Sequence, residues 1–138
     1  MASVNHSFAK NNGEPFKGCQ SDGRVCELSS DGKGIKASEQ FLAYNEENKT
    51  ATVRIDFLNT PFFFPVKFNT LDFSLKNIDG DTSEMTWKFR SDIKFFGYLL
   101  WPLLRIGFGK FIGDIMEELK FYVETGTPHA RKIKAMKK

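Results

Sequence analysis

The feature that most constrains this chain is a change in its hydrophobic period. Between residues 24 and 90, apolar side chains recur at every second position in short segments separated by polar turns, as in half-buried β-strands. From about residue 99 to 124 they recur at every third or fourth position, as in an amphipathic helix. Strands followed by one long helix predict an α+β fold, with the helix laid on the apolar face of a curved antiparallel sheet.

Turn residues set the expected bounds of the strands. In the segment 66–75, the apolar side chains fall on even-numbered positions before Asn69 and on odd-numbered positions after Thr70. This change indicates a β-bulge that bends the strand there. Five to six strands are expected, because a short strand near residues 4–8 precedes five clearer ones. These are residues 24–28, 35–44, 50–57, 66–75 and 82–90.

The final helix carries one apolar stripe. Gly107, Gly109 and Gly113 are each unfavourable in a helix by about 1 kcal/mol relative to alanine, so we expect them to serve close packing or to leave space. Pro102 suits the first turn, and Gly126 provides a stop. The stripe consists of Leu104, Phe108, Phe111, Ile112, Ile115, Leu119 and Tyr122.

Composition excludes several functional classes. The chain has 138 residues, which predicts one domain at 23–126, after a loop or short strand at 1–22 and before a basic tail at 127–138. The last ten residues carry five of the 20 lysines and arginines and no acid, so the body is mildly acidic and we expect no nucleic-acid partner. The tail is interpreted as a disordered, solvated end, with weak attraction to an anionic surface as the alternative.

Residues 95–104 form the longest apolar run, about half of what a bilayer-spanning helix needs, so we expect no transmembrane segment. The first residues contain no apolar core, and a cytoplasmic location is expected. Cys19 and Cys26 match no zinc spacing, and His6 and His129 have no ligand-like neighbours. No metal and no cofactor are predicted.

An ordered set of short segments carries a resemblance to a known family. The segments are 23–26 (GRVC), 31–32 (DG), 39–46 (EQFLAYNE), 50–53 (TATV), 82–87, ending in Trp87, and 118–126 (ELKFYVETG). Over roughly residues 18 to 132, the chain resembles the polyketide cyclase/dehydrase branch of the START-like (Bet v 1-like, SRPBCC) superfamily. The resemblance implies a helix-grip fold whose sheet wraps the C-terminal helix around a cavity for lipids, sterols or polyketides.

The start of the chain departs from that family, whose members normally begin with one more strand and two short helices. Only about 20 residues precede Arg24, and their pattern is not strand–helix–helix. A missing strand would leave an open sheet edge, and open edges pair readily with another chain. We therefore expect a homodimer that covers this edge.

Glu39 is the main candidate for a polar role. It shares strand parity with Ile35, Phe41 and Ala43, so it is expected to face the interior and to orient a polar ligand end or act as an acid or base. The alternatives are a salt bridge, for example to Arg24, and an exposed edge position.

Aromatic residues predict either a ligand cavity or a packed core. The loop at 60–65 holds Phe62, Phe63 and Phe64 between two prolines; it could gate a cavity, touch a membrane transiently or fold back onto the core. The residues expected to contact a ligand are Glu39, Phe41, Phe57, Phe68, Phe73, Trp87 and Phe89 of the sheet, and Phe108, Phe111 and Ile115 of the helix.

Three functions remain open on these observations. The first is binding or transport of a hydrophobic small molecule. The second is a cyclase or dehydratase-like enzyme, which is weaker because Glu39 is its only plausible interior acid or base. The third is an oligomeric interaction module without a cavity.

Overall fold

A computed structural model describes residue 4 and residues 6–13, 15–17, 19–29 and 33–136. The predicted turn at 29–34 lies partly outside this set. Two 3₁₀ segments, Asn11–Gly13 and Phe95–Tyr98, accompany the regular elements. The strands are β1 (His6–Ala9), β2 (Gly23–Glu27), β3 (Lys36–Asn45), β4 (Thr50–Leu58), β5 (Val66–Asp79) and β6 (Thr82–Ile93), and the helices are α1 (Trp101–Thr125) and α2 (Ala130–Met136).

The six strands form one antiparallel sheet in which each strand pairs with its neighbour in sequence, in the order β1 to β6. This curved sheet followed by one long helix confirms the predicted α+β class. Because side chains of a strand alternate between faces, one face collects the apolar positions and the other the charged ones. Among the described residues, β1 and β6 are the two edges.

The predicted bulge in β5 is displaced in the structure. The pairing of β5 with β6 shifts between Val66 and Phe68, not at Asn69 and Thr70. At Asn69 and beyond, the side chains of β5 therefore alternate regularly between the two faces of the sheet, and Asn69 shares a face with Leu71 and Phe73. Further shifts lie between Phe41 and Ala43 in the pairing of β3 with β4, and between Asn77 and Asp79 at the end of β5. Such irregularities increase local bending of the sheet.

Helix α1 starts one residue before Pro102 and ends at Thr125, followed by Gly126, which adopts the left-handed conformation with φ 69°. Its backbone approaches the sheet at few points, and Ile115 and Glu118 are its buried residues. A Cβ built on Gly107, Gly109 or Gly113 would meet nothing within 4 Å. The glycines therefore border open space and do not serve close packing.

The basic tail differs from the solvated end that was expected, because part of it forms α2. Arg131 of α2 lies 3.0 Å from Asp114, 2.5 Å from Glu117 and 3.3 Å from Glu118 of α1. The Lys132 ammonium donates a hydrogen bond of 2.5 Å to the Val4 carbonyl. Helix α2 thus links the end of α1 to the start of the chain.

Candidate ligand cavity

A cavity of about 1140 Å³ lies between the inner face of the sheet and α1, and its lining is mostly apolar. It forms because α1 spans the curved sheet while its backbone approaches the strands at few points. Nine of the ten predicted contact residues line it: Glu39, Phe41, Phe57, Phe73, Trp87, Phe89, Phe108, Phe111 and Ile115.

Phe68 is the exception, and its predicted position is wrong. It is not part of the lining, and the Arg54 guanidinium lies 3.9 Å from the centre of its ring. Arg54 also forms a salt bridge of 2.9 Å with Asp56. The ring therefore belongs to the charged outer face, where the cation covers it. The displaced bulge is the physical reason: with no irregularity at Asn69 and Thr70, residues 68 and 71 lie on opposite faces of β5.

Polar side chains cluster at the β2–β3 side of the cavity. The Arg24 Nε donates a hydrogen bond of 2.6 Å to Glu39 Oε2, and the Cys26 Sγ lies 3.8 Å from Glu39 Oε1. Ser7 Oγ lies 3.7 Å from the same sulfur. Glu39 thus faces the cavity, and it also forms the salt bridge to Arg24 that was considered as an alternative.

This cluster changes the acidity of two of its members. Burial, and then the negative charge of Glu39, raise the pKa of the Cys26 thiol above its ordinary value of 9.0, so the thiol is protonated at neutral pH. For Arg24, burial lowers the pKa, but the hydrogen bond and charge of Glu39 outweigh it and the net pKa is raised. The guanidinium is therefore a permanent cation.

Asn69 was not predicted as a site residue. It lines the cavity, is 1% exposed, and its Oδ1 has no hydrogen-bond partner within the described residues. A buried amide oxygen without a partner is costly to the folded state, and the protein around it closes this one off from the cavity. The sequence did contain a signal for its orientation, because Asn69, Leu71 and Phe73 are alternate residues of one strand. The bulge predicted at Asn69 placed it on the opposite face.

The loop of three phenylalanines divides between the cavity and the surface. Phe64 lines the cavity and packs on Phe57 with ring centroids 5.2 Å apart. Phe62 and Phe63 are 95% and 74% exposed. The Lys94 N–H donates to the Pro65 carbonyl at 2.8 Å, which holds the loop beside Phe95, itself 92% exposed. These exposed rings form an aromatic rim: Phe62, Phe63 and Phe95.

Among the described residues, no group of three or more His, Cys, Asp or Glu side chains is arranged to hold a metal ion. In the same part of the chain, neither helix combines the length and the apolar character that crossing a membrane requires. Comparisons with family models, curated proteins and solved structures give no match to this chain.

Proposed function

We propose that this protein binds or transports a hydrophobic small molecule, of lipid, sterol or polyketide-like character, in the cavity between the sheet and α1. The observation that carries the proposal is an apolar space of about 1140 Å³, somewhat larger than a typical pocket for a drug-sized ligand. Burying apolar ligand surface there contributes roughly 25 cal/mol per Å². An interior of this size argues against an interaction module without a cavity.

The polar cluster supports binding more than catalysis. Both oxygens of Glu39 are engaged, one by Arg24 and the other by Cys26. Glu39 is the only carboxylate among the described residues of the lining. A general base must be able to reach a substrate proton, whereas an ion pair at the wall of an apolar cavity is suited to orienting the polar end of a ligand.

The arrangement also supports, as part of this proposal, membership of the START-like superfamily. A long C-terminal helix gripped by a curved antiparallel sheet is compatible with the helix-grip fold that the resemblance implies. Under this proposal, the exposed rings of the aromatic rim, whose loop also supplies Phe64 to the cavity lining, would contact a membrane surface from which a ligand is taken.

The proposal is tested by filling the cavity from the helix. Gly107 lines the cavity and Gly113 does not, although a Cβ on either would meet nothing within 4 Å. Gly107→Leu and Gly113→Leu should stabilise the helix to a similar degree, because leucine is the better helix former. Only Gly107→Leu should weaken binding of anilinonaphthalene sulfonate, by about 4- to 15-fold, the equivalent of one or two methylene groups of lost contact.

Fluorescence titration of both variants and the wild-type protein gives the result, and native mass spectrometry of gently purified protein reports any retained ligand. Equal affinity of the two variants would place the probe outside the cavity. No saturable binding of apolar probes by the wild-type protein would contradict the proposed function.

A further inference from the structure

A second, smaller space adjoins the ligand cavity, and we call it the head pocket. Its volume is about 370 Å³, and strands β1 and β2 and both helices meet around it. It shares four lining residues with the cavity: Val4, Ser7, Arg24 and Leu119. The rest of its lining consists of Glu118, Tyr122 and Lys132. Because the two spaces share a wall, one end of a molecule in the cavity would reach the head pocket.

The two spaces differ in polarity. The cavity is lined mostly by apolar side chains, whereas most side chains around the head pocket carry a charge or a hydroxyl group. The polar ones are Ser7, Arg24, Glu118, Tyr122 and Lys132. An amphipathic molecule matches this arrangement, with its apolar body in the cavity and its polar end in the head pocket.

Charge balance indicates the sign of that polar end. Glu39, the carboxylate of the cavity, pairs with Arg24 at 2.6 Å. Glu118, the carboxylate of the head pocket, lies 3.3 Å from the Arg131 guanidinium. Lys132 instead donates its hydrogen bond to a backbone carbonyl, at 2.5 Å, and forms no salt bridge within the described chain. One cation of the head pocket is therefore not neutralised, and a single excess positive charge favours a monoanion such as a carboxylate.

The donors around the head pocket also suit a carboxylate. An ammonium has three donors and a guanidinium has five, whereas the bond to Glu39 uses only Nε of Arg24. The hydroxyls of Ser7 and Tyr122 add two more donors. The Arg24 side chain is 47% exposed and Lys132 is only partly buried. A charged group between them keeps contact with water, so its desolvation costs little.

We infer that the ligand is an apolar acid whose hydrocarbon body occupies the cavity and whose carboxylate lies in the head pocket, against Lys132 and Arg24. This inference rests on the proposed function and specifies its ligand class. Lys132 determines the preference for an ionised head, because the charge of Arg24 is already engaged by Glu39.

The test compares dodecanoate with dodecanol, which share one hydrocarbon chain and differ in the charge of the head. Displacement of Nile red, an uncharged apolar dye, measures both affinities. Lys132→Met should weaken dodecanoate by about 2- to 5-fold, as expected for a partly exposed ion pair, and leave dodecanol unchanged. Lys132→Arg should bind dodecanoate as the wild type does, because it keeps the cation.

The matched control is Lys134→Met. Lys134 lies on the same short helix as Lys132, but it is exposed and lines neither the cavity nor the head pocket. The variant therefore removes the same charge from the same element without touching the site. It should leave the affinities of both ligands unchanged.

The outcomes separate the inference from the proposal on which it rests. An unchanged affinity for dodecanoate in Lys132→Met overturns the inference, and so does an equal loss in Lys134→Met, which would reflect net charge alone. If Lys132→Met weakens both ligands alike, the lysine has a structural role and the inference is again overturned. Displacement of the dye by dodecanol but not by dodecanoate overturns the acid and leaves apolar binding intact. Failure of the wild-type protein to bind Nile red or either ligand overturns both.

Discussion

Cys26 reports on the polar cluster from within the cavity, because its thiol lies beside Glu39 and is 1% exposed. Its raised pKa comes first from burial and then from the negative charge of Glu39. The thiolate is the reactive form, so alkylation should be slow at neutral pH and should rise only above pH 9.0.

We expect Glu39→Gln to lower the pKa of Cys26 and to accelerate its alkylation, since the carboxylate charge is removed while Arg24 remains. Iodoacetamide kinetics as a function of pH, in a Cys19→Ser background, measure this. Glu27→Gln is the control, because Glu27 is the residue after Cys26 on β2 but pairs with Lys36 at 2.7 Å. Identical pH profiles for Glu39→Gln and the parent protein would contradict the electrostatic coupling.

At the scale of single residues, the sequence predicts orientation well wherever the strand period is uninterrupted. Glu39, Phe57 and Trp87 face the cavity because side chains alternate along a regular strand. Phe68 was assigned to the wrong face because a bulge can be placed by pattern only to within a few residues. The partner of a surface cation such as Arg54 is not encoded in local periodicity, so the contact that covers Phe68 could not be anticipated.

Among the elements, α2 depends on charge for its attachment. The hydrogen bond from Arg131 and its positive charge lower the pKa of Glu117 below its ordinary value of 4.5. A carboxylate whose pKa is depressed by folding stabilises the folded state above the unfolded pKa, and this contribution is lost as pH falls through the folded pKa. The attachment of α2 should therefore weaken in acid.

The prediction is that Glu117→Gln lowers the melting temperature at neutral pH, and that its difference from the wild type disappears below the depressed pKa of Glu117. Melting curves recorded from neutral to acid pH test this. Glu124→Gln is the control, because Glu124 forms its ion pair, at 3.8 Å, with Lys120 of the same helix. A difference that persists unchanged in acid would exclude the ionic mechanism.

The existence and type of the longer elements follow from their hydrophobic periods, and α1 departs from its predicted bounds by one or two residues at each end. The extension of β5 to Asp79 was missed because residues 76–79 are mostly polar and their pairing with β6 supplies the order. Helix α2 was missed for a related reason. Its order comes from Arg131 contacting α1, a tertiary interaction to which local composition gives no guide.

For the molecule as a whole, the exposed edges of the sheet differ greatly in length. Strand β1 has 4 residues, whereas β6 has 12. Pairing two copies of β6 antiparallel about Trp87 would set Glu84 of one copy opposite Arg90 of the other. Arg90 also lies 2.7 Å from Asp72 of its own sheet. The opposite charges of Glu84 and Arg90 in this register are the basis on which we predict a homodimer through the β6 edge.

We therefore expect Glu84→Arg to weaken dimerisation, because it places like charges opposite each other, and the exchange Glu84→Arg with Arg90→Glu to restore it. Sedimentation velocity at micromolar concentration measures the three proteins side by side. A monomeric wild-type protein, or a charge exchange that fails to recover the dimer, would count against pairing in this register.

The hollow interior has a consequence for how long the protein survives in a cell. Since α1 buries only Ile115 and Glu118 within the described chain, a ligand bound as proposed would supply much of the packing of this helix. A ligand that binds only the folded state adds about 2.7 kcal/mol of stability at a hundredfold excess over its dissociation constant. Under the proposed function, empty copies would unfold and be degraded more often than filled ones, and the abundance of the protein would follow the supply of its ligand.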